Sequence, residues 1–310
     1  MGWNYAKIFK QAFYLTKGYK FFWRAGLFLV WPVLLQGLLV VLLVYERMSP
    51  SEGDRGWIGG PGPYAQAWVG VVSLIVIAVL TALYFRSKAG VTVAVKELKT
   101  KTSIDPSKVM AESEPYTIRL LKLGFGLGMA LLLVTGLLLM PVVYLDELNY
   151  SARAVILGLL ALAIYAPTFI FLYYSMIFSP LFMVAHGLSI ADSMRSSFDL
   201  ARKCWPQLLA LSAIMLAAQA VGLVVGVSVS GLVLSLFVLI FRMVYDMGGL
   251  DAAPALQALA GTATFVVFFM SQVLVTAFIR VAWAVAFFEI VRPAKPEVQE
   301  ETAPVPEVIS

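Results

Sequence analysis

The sequence predicts an all-α membrane protein: a polytopic bundle of six transmembrane helices with two amphipathic helices at the membrane surface. Of its 310 residues, 61% are hydrophobic and 13% are charged, whereas soluble domains carry about 25% charged residues. The apolar residues are grouped in runs long enough to cross the ~30 Å hydrocarbon core of a bilayer. We therefore assign residues 1–292 to one integral membrane domain. The Pro-rich, acidic residues 293–310 are expected to form a disordered tail.

The chain begins with an amphipathic helix over residues 4–20, in which apolar and basic side chains recur on opposite sides. We expect Lys7, Lys10, Phe13 and Lys17 to contact the membrane interface. The first transmembrane span follows at about residues 22–45, and a Gly- and Pro-rich loop leads from it to the second span at about 64–85.

Residues 86–122 form the main hydrophilic segment, in which Asp105-Pro106 is a plausible helix start. The third span is expected at about 123–144 and opens with Gly124, Gly126 and Gly128. Such a small-residue face lets helices approach closely. The fourth span is expected at about 154–177, with a possible continuation past Pro180.

The fifth apolar run covers residues 208–245, which is too long for one span and barely long enough for two. Small residues cluster in its middle, so we predict that it is broken into a span and a shorter interfacial or re-entrant piece. The cluster consists of Gly222, Gly226, Ser228, Ser230 and Gly231. The sixth span lies within residues 262–290.

Between the fourth and fifth runs lies a second amphipathic helix, over residues 189–205. Ser189 and Asp192 have the spacing of a capping box at its start. The predicted apolar stripe consists of Ile190, Met194, Phe198, Ala201 and Trp205. We predict that five residues of this helix contact the membrane interface. They are Met194, Phe198 and Trp205 from the apolar stripe and Arg195 and Arg202 from the polar side. A helix that packs only on its own protein is the alternative, because its mixed charge weakens attraction to lipid.

The two amphipathic helices align at an offset of 185 residues, which pairs Asn4 with Ser189 and Phe9 with Met194. Lys10 and Lys17 then fall opposite Arg195 and Arg202, and each helix precedes an apolar run. This alignment suggests an internal repeat, roughly residues 4–45 and 189–230. Two independent amphipathic helices in chance register would look the same.

The positions of the basic residues predict that both termini are cytoplasmic. With six spans, all but four of the 23 lysines and arginines fall on the cytoplasmic side. The exceptions are Arg47, Arg55, Arg153 and Arg242. The positive-inside rule therefore favours six spans over seven.

Few residues in the spans can carry chemistry. Arg280 is the deepest charge and is a candidate intramembrane functional group, with Glu289 or Asp192 as a possible partner. Snorkelling of its side chain to the cytoplasmic surface is the simpler explanation. With one histidine, His186, and one cysteine, Cys204, we predict no metal site, no cofactor and no catalytic residue.

Several residues give the chain a resemblance to a known group of proteins. They are Ser179, Pro180 and Leu181 in a turn, Ser189, Ala191, Ser196 and Ser197 in the capped helix, Trp205 after it, and Phe13 and Lys17 in the first helix. The chain is similar to the membrane domain of bacterial glycerophosphoryl diester phosphodiesterases and related inner-membrane proteins. The resemblance implies a helical membrane domain in a bacterial inner membrane. It does not imply the hydrolase activity, because the chain holds no segment long enough for a catalytic domain.

We therefore expect a non-enzymatic membrane protein that scaffolds, anchors or regulates partners or lipids at the cytoplasmic face. Membrane lipid is its expected partner, protein partners or further copies of itself are further candidates, and nucleic acid is not expected. The repeat and the interrupted fifth run favour an alternative, a transporter or permease-like subunit. An intramembrane lipid enzyme is less favoured, because polar residues do not cluster in the spans.

Overall fold

The computed structural model describes residues 4–32, 35, 63–99, 101, 103–147, 150–246 and 253–291, which are mostly α-helical, with no strand among them. The all-α prediction is thus confirmed. The helices with defined bounds are α1 (Tyr5–Gly18), α2 (Lys20–Leu29), α3 (Pro63–Leu98), α4 (Pro106–Glu147), α5 (Ser151–His186), α6 (Ile190–Lys203), α7 (Trp205–Asp246) and α8 (Ala253–Ile290).

Five of these helices, α3, α4, α5, α7 and α8, are long and apolar enough to cross a membrane. Residues 33–34 and 36–45 of the predicted first span, and the whole tail over residues 293–310, lie outside the described residues. The count of six spans therefore stays a prediction. So does the full extent of the repeat.

The spanning helices are longer than a bilayer is thick, and their extra length defines a second, packed region. The 42 residues of α4 and of α7 extend for about 63 Å at 1.5 Å per residue, twice the ~30 Å hydrocarbon core. At one end, α3, α5 and α8 finish while α4 and α7 begin. We call it the charged end. Lys99 Nζ lies 3.8 Å from Glu289 Oε1 there, and Lys96 Nζ donates to the Ala185 carbonyl at 2.9 Å.

The buried core lies toward the charged end. Its largest buried aromatic side chains are Phe22, Phe178 and Phe287, each 0% exposed. Further along the helices, large apolar side chains such as Leu137 and Leu216 are exposed. An apolar surface of this kind suits a lipid environment, whereas the charged end packs as a soluble helical protein does.

Side-chain caps start α1 and α6, and the cap of α6 is the predicted Ser189. The Asn4 side chain accepts a hydrogen bond from the Lys7 backbone N–H at 3.0 Å. The Ser189 hydroxyl accepts one from the Asp192 N–H at 3.2 Å. Each cap satisfies a backbone donor that has no partner inside the helix.

The two capped helices also end at equivalent positions. Both have 14 residues, and their C-terminal caps are Tyr19 and Cys204, again 185 residues apart. The chain re-enters a helix directly after each cap, at Lys20 and at Trp205. The second break therefore falls one residue before Trp205, and Pro206 lies in the first turn of α7, where its missing N–H costs nothing.

The predicted helix start at Asp105 is also confirmed. Asp105 Oδ1 accepts hydrogen bonds from the Ser107 backbone N–H at 2.9 Å and from the Ser107 hydroxyl at 2.7 Å. These bonds favour the ionised carboxylate and hold the pKa of Asp105 below its ordinary value. The cap begins α4 well before the apolar run at residue 123.

The buried face of α6 differs from the predicted apolar stripe. Ser193 and Ser197 are 0% exposed, while Phe198 and Trp205 are 45% and 59% exposed. The small serines let α6 lie against α5, where the Ser197 hydroxyl donates to the Tyr174 carbonyl at 3.3 Å. The larger apolar residues therefore flank the contact instead of filling it, since helices that approach closely need small residues between them.

The prediction of a broken fifth run is wrong, because α7 is one continuous helix from Trp205 to Asp246. Its glycines do not interrupt the helix; two of them lie where α7 packs against α8. A methyl group at Gly222 would overlap the Val275 side chain, and one at Gly226 would overlap the Ser271 hydroxyl. Both positions let α7 approach α8 closely.

The predicted glycine face at the start of the third span is confirmed only at its first position. A methyl group at Gly124 would overlap the Phe85 ring, so this residue lies at the contact between α3 and α4. Gly126 and Gly128 have no neighbouring atom within 4 Å of such a group. On a helix Gly126 lies about 200° from Gly124 and so faces away from the contact, whereas Gly128 lies one turn further along the same face, beyond the Phe85 ring.

Candidate anion-binding cavity

A cavity of about 610 Å³ opens between the helices where the charged end meets the lipid-facing part of the bundle. Its wall is mainly apolar and aromatic, with Phe85, Leu123, Leu127 and Trp283 among its members. A smaller set of polar side chains faces the same space. That set is Thr81, Tyr84, Lys88, Tyr173, Gln219, Thr276 and Arg280.

Lys88 reaches the cavity because a proline interrupts the hydrogen bonding of α5. Pro180 lies inside α5 and has no N–H, so the carbonyl four residues earlier, at Met176, lacks its helical donor. Lys88 Nζ donates to this carbonyl at 2.8 Å. A proline in a membrane helix is tolerated when a neighbouring helix supplies such a replacement bond.

Arg280 extends into the cavity from α8, and Arg280 Nη2 donates to the Tyr84 hydroxyl on α3 at 3.0 Å. Neither of its predicted partners lines the cavity. Glu289 instead lies 3.8 Å from both Lys7 and Lys99, and Asp192 accepts a hydrogen bond from the Ser189 hydroxyl at 2.6 Å. Neither candidate partner is therefore paired with Arg280: Glu289 forms ion pairs with lysines outside α8, and Asp192 belongs to the cap of α6.

The cavity therefore concentrates positive charge. Lys88 and Arg280 both line it, and its described wall contains no aspartate or glutamate. Cations in an apolar, water-poor setting need an opposite charge or hydrogen-bond acceptors to offset the loss of hydration. An anion with an apolar portion can pair with Lys88 and Arg280 through its charge and pack against the apolar residues of the wall.

Two neutral polar groups lie next to the cations. Thr276 is 7% exposed and its hydroxyl has no hydrogen-bond partner among the described residues. Gln219 comes from α7, and its Nε2 lies 3.5 Å from Gln272 Oε1 on α8. Polar groups between membrane helices commonly hydrogen-bond across the helix interface. The Thr276 hydroxyl has no such partner among the described residues, and Thr276 is part of the cavity wall.

The predicted interface residues lie outside this cavity. Lys10, Phe13 and Lys17 on α1 are exposed, as are Arg195, Phe198 and Arg202 on α6 and Trp205 at the start of α7. Met194 is partly buried. Lys7 forms an ion pair with Glu289, in which Lys7 Nζ lies 3.8 Å from Glu289 Oε2. Contact of these side chains with a membrane interface stays a prediction.

Sequence reasoning missed Lys88. It treated residues 86–122 as one hydrophilic segment, whereas α3 continues to Leu98 and brings Lys88 into the bundle. The available signal was the mainly apolar stretch AGVTVAV directly after Lys88, residues 89–95, which the structure buries. An apolar run beside a single lysine indicates a packed helix more than a solvated loop.

The fold is that of a multi-pass membrane protein, with five helices that can cross a bilayer and a cationic cavity between them. Comparison with models of known protein families, with curated proteins and with solved structures finds no match. The resemblance to the phosphodiesterase membrane domains therefore stays an expectation from the sequence.

Proposed function

We propose that this chain is a non-enzymatic integral membrane protein that binds anionic lipid and acts as a scaffold, anchor or regulator at the cytoplasmic face. The observation that carries this proposal is the pair of cations, Lys88 and Arg280, on the wall of one largely apolar cavity. Phosphate and carboxylate groups bind such donors through charge-assisted hydrogen bonds. Membrane lipids are the most abundant anions that also carry an apolar portion.

The level of the cavity along the helices supports a lipid ligand. Exposed large apolar residues of α3 precede Arg86, those of α4 begin at Ile118, one turn before Lys122, and those of α8 precede Arg280. These three cations mark the level at which lipid-facing surface gives way to the charged end. Lipid head groups lie at the same boundary, so a head group can reach the cavity without crossing hydrocarbon.

The arrangement of the charged end supports a cytoplasmic position for both termini, in a bacterial inner membrane. Lys7 and Glu289 are in contact, so the described ends of the chain lie on one side of the bundle. Arg153 and Arg242 belong to the opposite side, near the start of α5 and the end of α7. The positive-inside rule assigns the side richer in lysine and arginine to the cytoplasm.

Removal of the two cavity cations tests the proposal. Replacement of both residues, Lys88→Gln with Arg280→Gln, should weaken binding of phosphatidylglycerol by roughly tenfold or more, because hydrogen bonds to charged groups contribute about 1.5–3 kcal/mol each. Native mass spectrometry of the detergent-solubilised protein, titrated with phosphatidylglycerol and with phosphatidylcholine, measures both affinities.

The matched control is Lys108→Gln with Arg119→Gln, which removes the same charges from exposed positions of α4 outside the cavity. It should leave the affinity for phosphatidylglycerol within about twofold of the original value, as exposed charges contribute little. Equal losses in the two double variants would reject the cavity as the lipid site. Equal binding of both lipids by the unaltered protein would reject the proposed function itself.

Topology gives an independent prediction. Reporter fusions at Lys101 and at the C-terminus should give cytoplasmic signals, and fusions at Gly60 and Tyr150 should give signals from the opposite side. Alkaline phosphatase and green fluorescent protein fusions report the two sides. Phosphatase activity from the fusion at Lys101 would contradict the proposed orientation.

A transporter or permease-like subunit remains the second candidate. The continuous α7 removes one of the two observations behind it, while the equivalent 14-residue helices α1 and α6 keep the other. Mild-detergent pull-downs that recover a protein partner or a second copy of the chain would favour the scaffold. Substrate flux through vesicles that is lost in Arg280→Ala would favour the transporter.

A further inference from the structure

We propose that the cavity holds one diacyl glycerophospholipid, with the phosphate between Lys88 and Arg280 and an acyl-ester carbonyl on the Thr276 hydroxyl. The inference rests on the proposed function and goes beyond it, because it names the class of lipid and its orientation. Three features carry it: the donors that remain on the cations, the hydroxyl of Thr276, and the order of these groups along α8.

The two cations keep enough donors for a phosphate. A lysine ammonium has three N–H groups and an arginine guanidinium has five. Lys88 donates to the Met176 carbonyl and Arg280 to the Tyr84 hydroxyl, so each has further donors available in the cavity. Both bonds also restrain their side chains, which lowers the conformational entropy that binding would otherwise cost.

Thr276 differs from most of the described helical threonines in the bundle. A helical threonine commonly donates to the carbonyl four residues earlier, and five described threonines do so. These are Thr16, Thr92, Thr117, Thr168 and Thr262. The Thr276 hydroxyl makes no such bond in the described structure and is buried, and the residue is part of the cavity wall. A buried hydroxyl without a partner is costly, so an acceptor in the cavity would stabilise it.

The order of these groups matches a glycerophospholipid. Thr276 lies one helical turn before Arg280, about 6 Å along α8, on the side that leads into the lipid-exposed part of the helix. In a glycerophospholipid the ester carbonyls lie one short glycerol unit below the phosphate, toward the acyl chains. A phosphate at Arg280 therefore brings an ester carbonyl to the level of Thr276, and Gln219 offers a second donor near that level.

The cavity size suits this part of the lipid. A volume of about 610 Å³ is within the usual range for small-molecule sites, roughly 300–1,000 Å³. It accommodates the phosphate and the glycerol ester region. The acyl chains then extend along the apolar wall at Phe85, Leu123 and Leu127, where burial of each methylene contributes about 0.8 kcal/mol.

The test compares a phosphatidylglycerol that has ester-linked chains with its ether-linked analogue, which has the same head group and no acyl carbonyl. Native mass spectrometry of the full chain in detergent measures both affinities, with soluble glycerol 3-phosphate as a third probe. The unaltered protein should bind the ester lipid about three- to tenfold more tightly than the ether lipid, the effect of one neutral hydrogen bond. Glycerol 3-phosphate should bind far more weakly than either lipid, since it has no acyl chains.

Variants of Thr276 assign the preference to this hydroxyl. Thr276→Val should bind both lipids equally, and Thr276→Ser should restore the preference for the ester. Thr264→Val is the matched control. Like Thr276, Thr264 is on α8 and its hydroxyl has no described partner, but it lies outside the cavity wall. It should keep the full preference.

The outcomes separate this inference from the proposed function. The inference alone would be overturned if the protein preferred both phosphatidylglycerols to phosphatidylcholine but bound the ester and the ether lipid equally. It would also be overturned alone if Thr276→Val left the preference for the ester lipid unchanged. Glycerol 3-phosphate binding as tight as that of the lipid would identify a soluble phosphate as the ligand and overturn it also. No preference of the unaltered protein for anionic lipid would overturn both.

Discussion

Replacement of Ser197 by aspartate is expected to destabilise the protein more than any other substitution considered. Ser197 is 0% exposed at the contact of α6 with α5, and its hydroxyl donates to the Tyr174 carbonyl at 3.3 Å. A carboxylate there would have to lie against an oxygen acceptor without water and without a cation. Burial of an unpaired charge costs several kcal/mol, a large part of the stability of an ordinary domain.

The adjacent Ser196→Asp is the control, because the same chemical change falls on a partly exposed position. Thermal unfolding of both variants in detergent, followed by near-UV circular dichroism and size-exclusion chromatography, measures the difference. Ser197→Asp should aggregate or unfold well below the unaltered protein, and Ser196→Asp should unfold close to it. Equal midpoints for the two variants would show that α6 does not pack on α5 through its serine face.

Replacement of Gly26 by alanine should have the second-largest effect. A methyl group at Gly26 would lie 2.7 Å from the Val273 carbonyl oxygen and 3.0 Å from the Ala277 side chain. The oxygen belongs to the backbone of α8 and cannot move aside as a flexible side chain can. We expect α2 and α8 to be forced apart, at a cost of about 1–3 kcal/mol or more.

Gly126→Ala makes the same change where no atom lies within 4 Å of the new methyl group. Since alanine favours a helix over glycine by about 1 kcal/mol, this variant should be as stable as the original protein or slightly more so. The midpoint of unfolding on titration with sodium dodecyl sulfate compares the two variants. A loss of stability in Gly126→Ala as large as that in Gly26→Ala would contradict the α2–α8 contact.

Features that depend on a single helical turn could be predicted from the sequence. The caps at Asn4, Ser189 and Asp105 follow from side chains that bond the backbone two or three residues away. The helical character of the apolar runs follows in the same way, because a backbone in a lipid environment must satisfy its own hydrogen bonds. These inferences need no knowledge of neighbouring helices.

The candidate site was only partly predictable. Arg280 was recognisable, because a charge within an apolar run is rare and therefore informative. Lys88 was not, since its role depends on a carbonyl of another helix that Pro180 leaves without a donor. Tyr84 could not be distinguished from the other tyrosines until α3 and α8 were seen side by side.

By itself, the sequence determined that this chain is an all-α protein with several helices able to cross a membrane, and where its capped helices begin. Both depend on local composition and on spacing within one helix. Only the tertiary structure decided that α7 is continuous, that Gly222 and Gly26 serve helix contacts, and that Lys88 and Arg280 share a cavity. Each of these depends on which residue of a distant segment lies opposite, and periodicity within one helix carries no information about its neighbour.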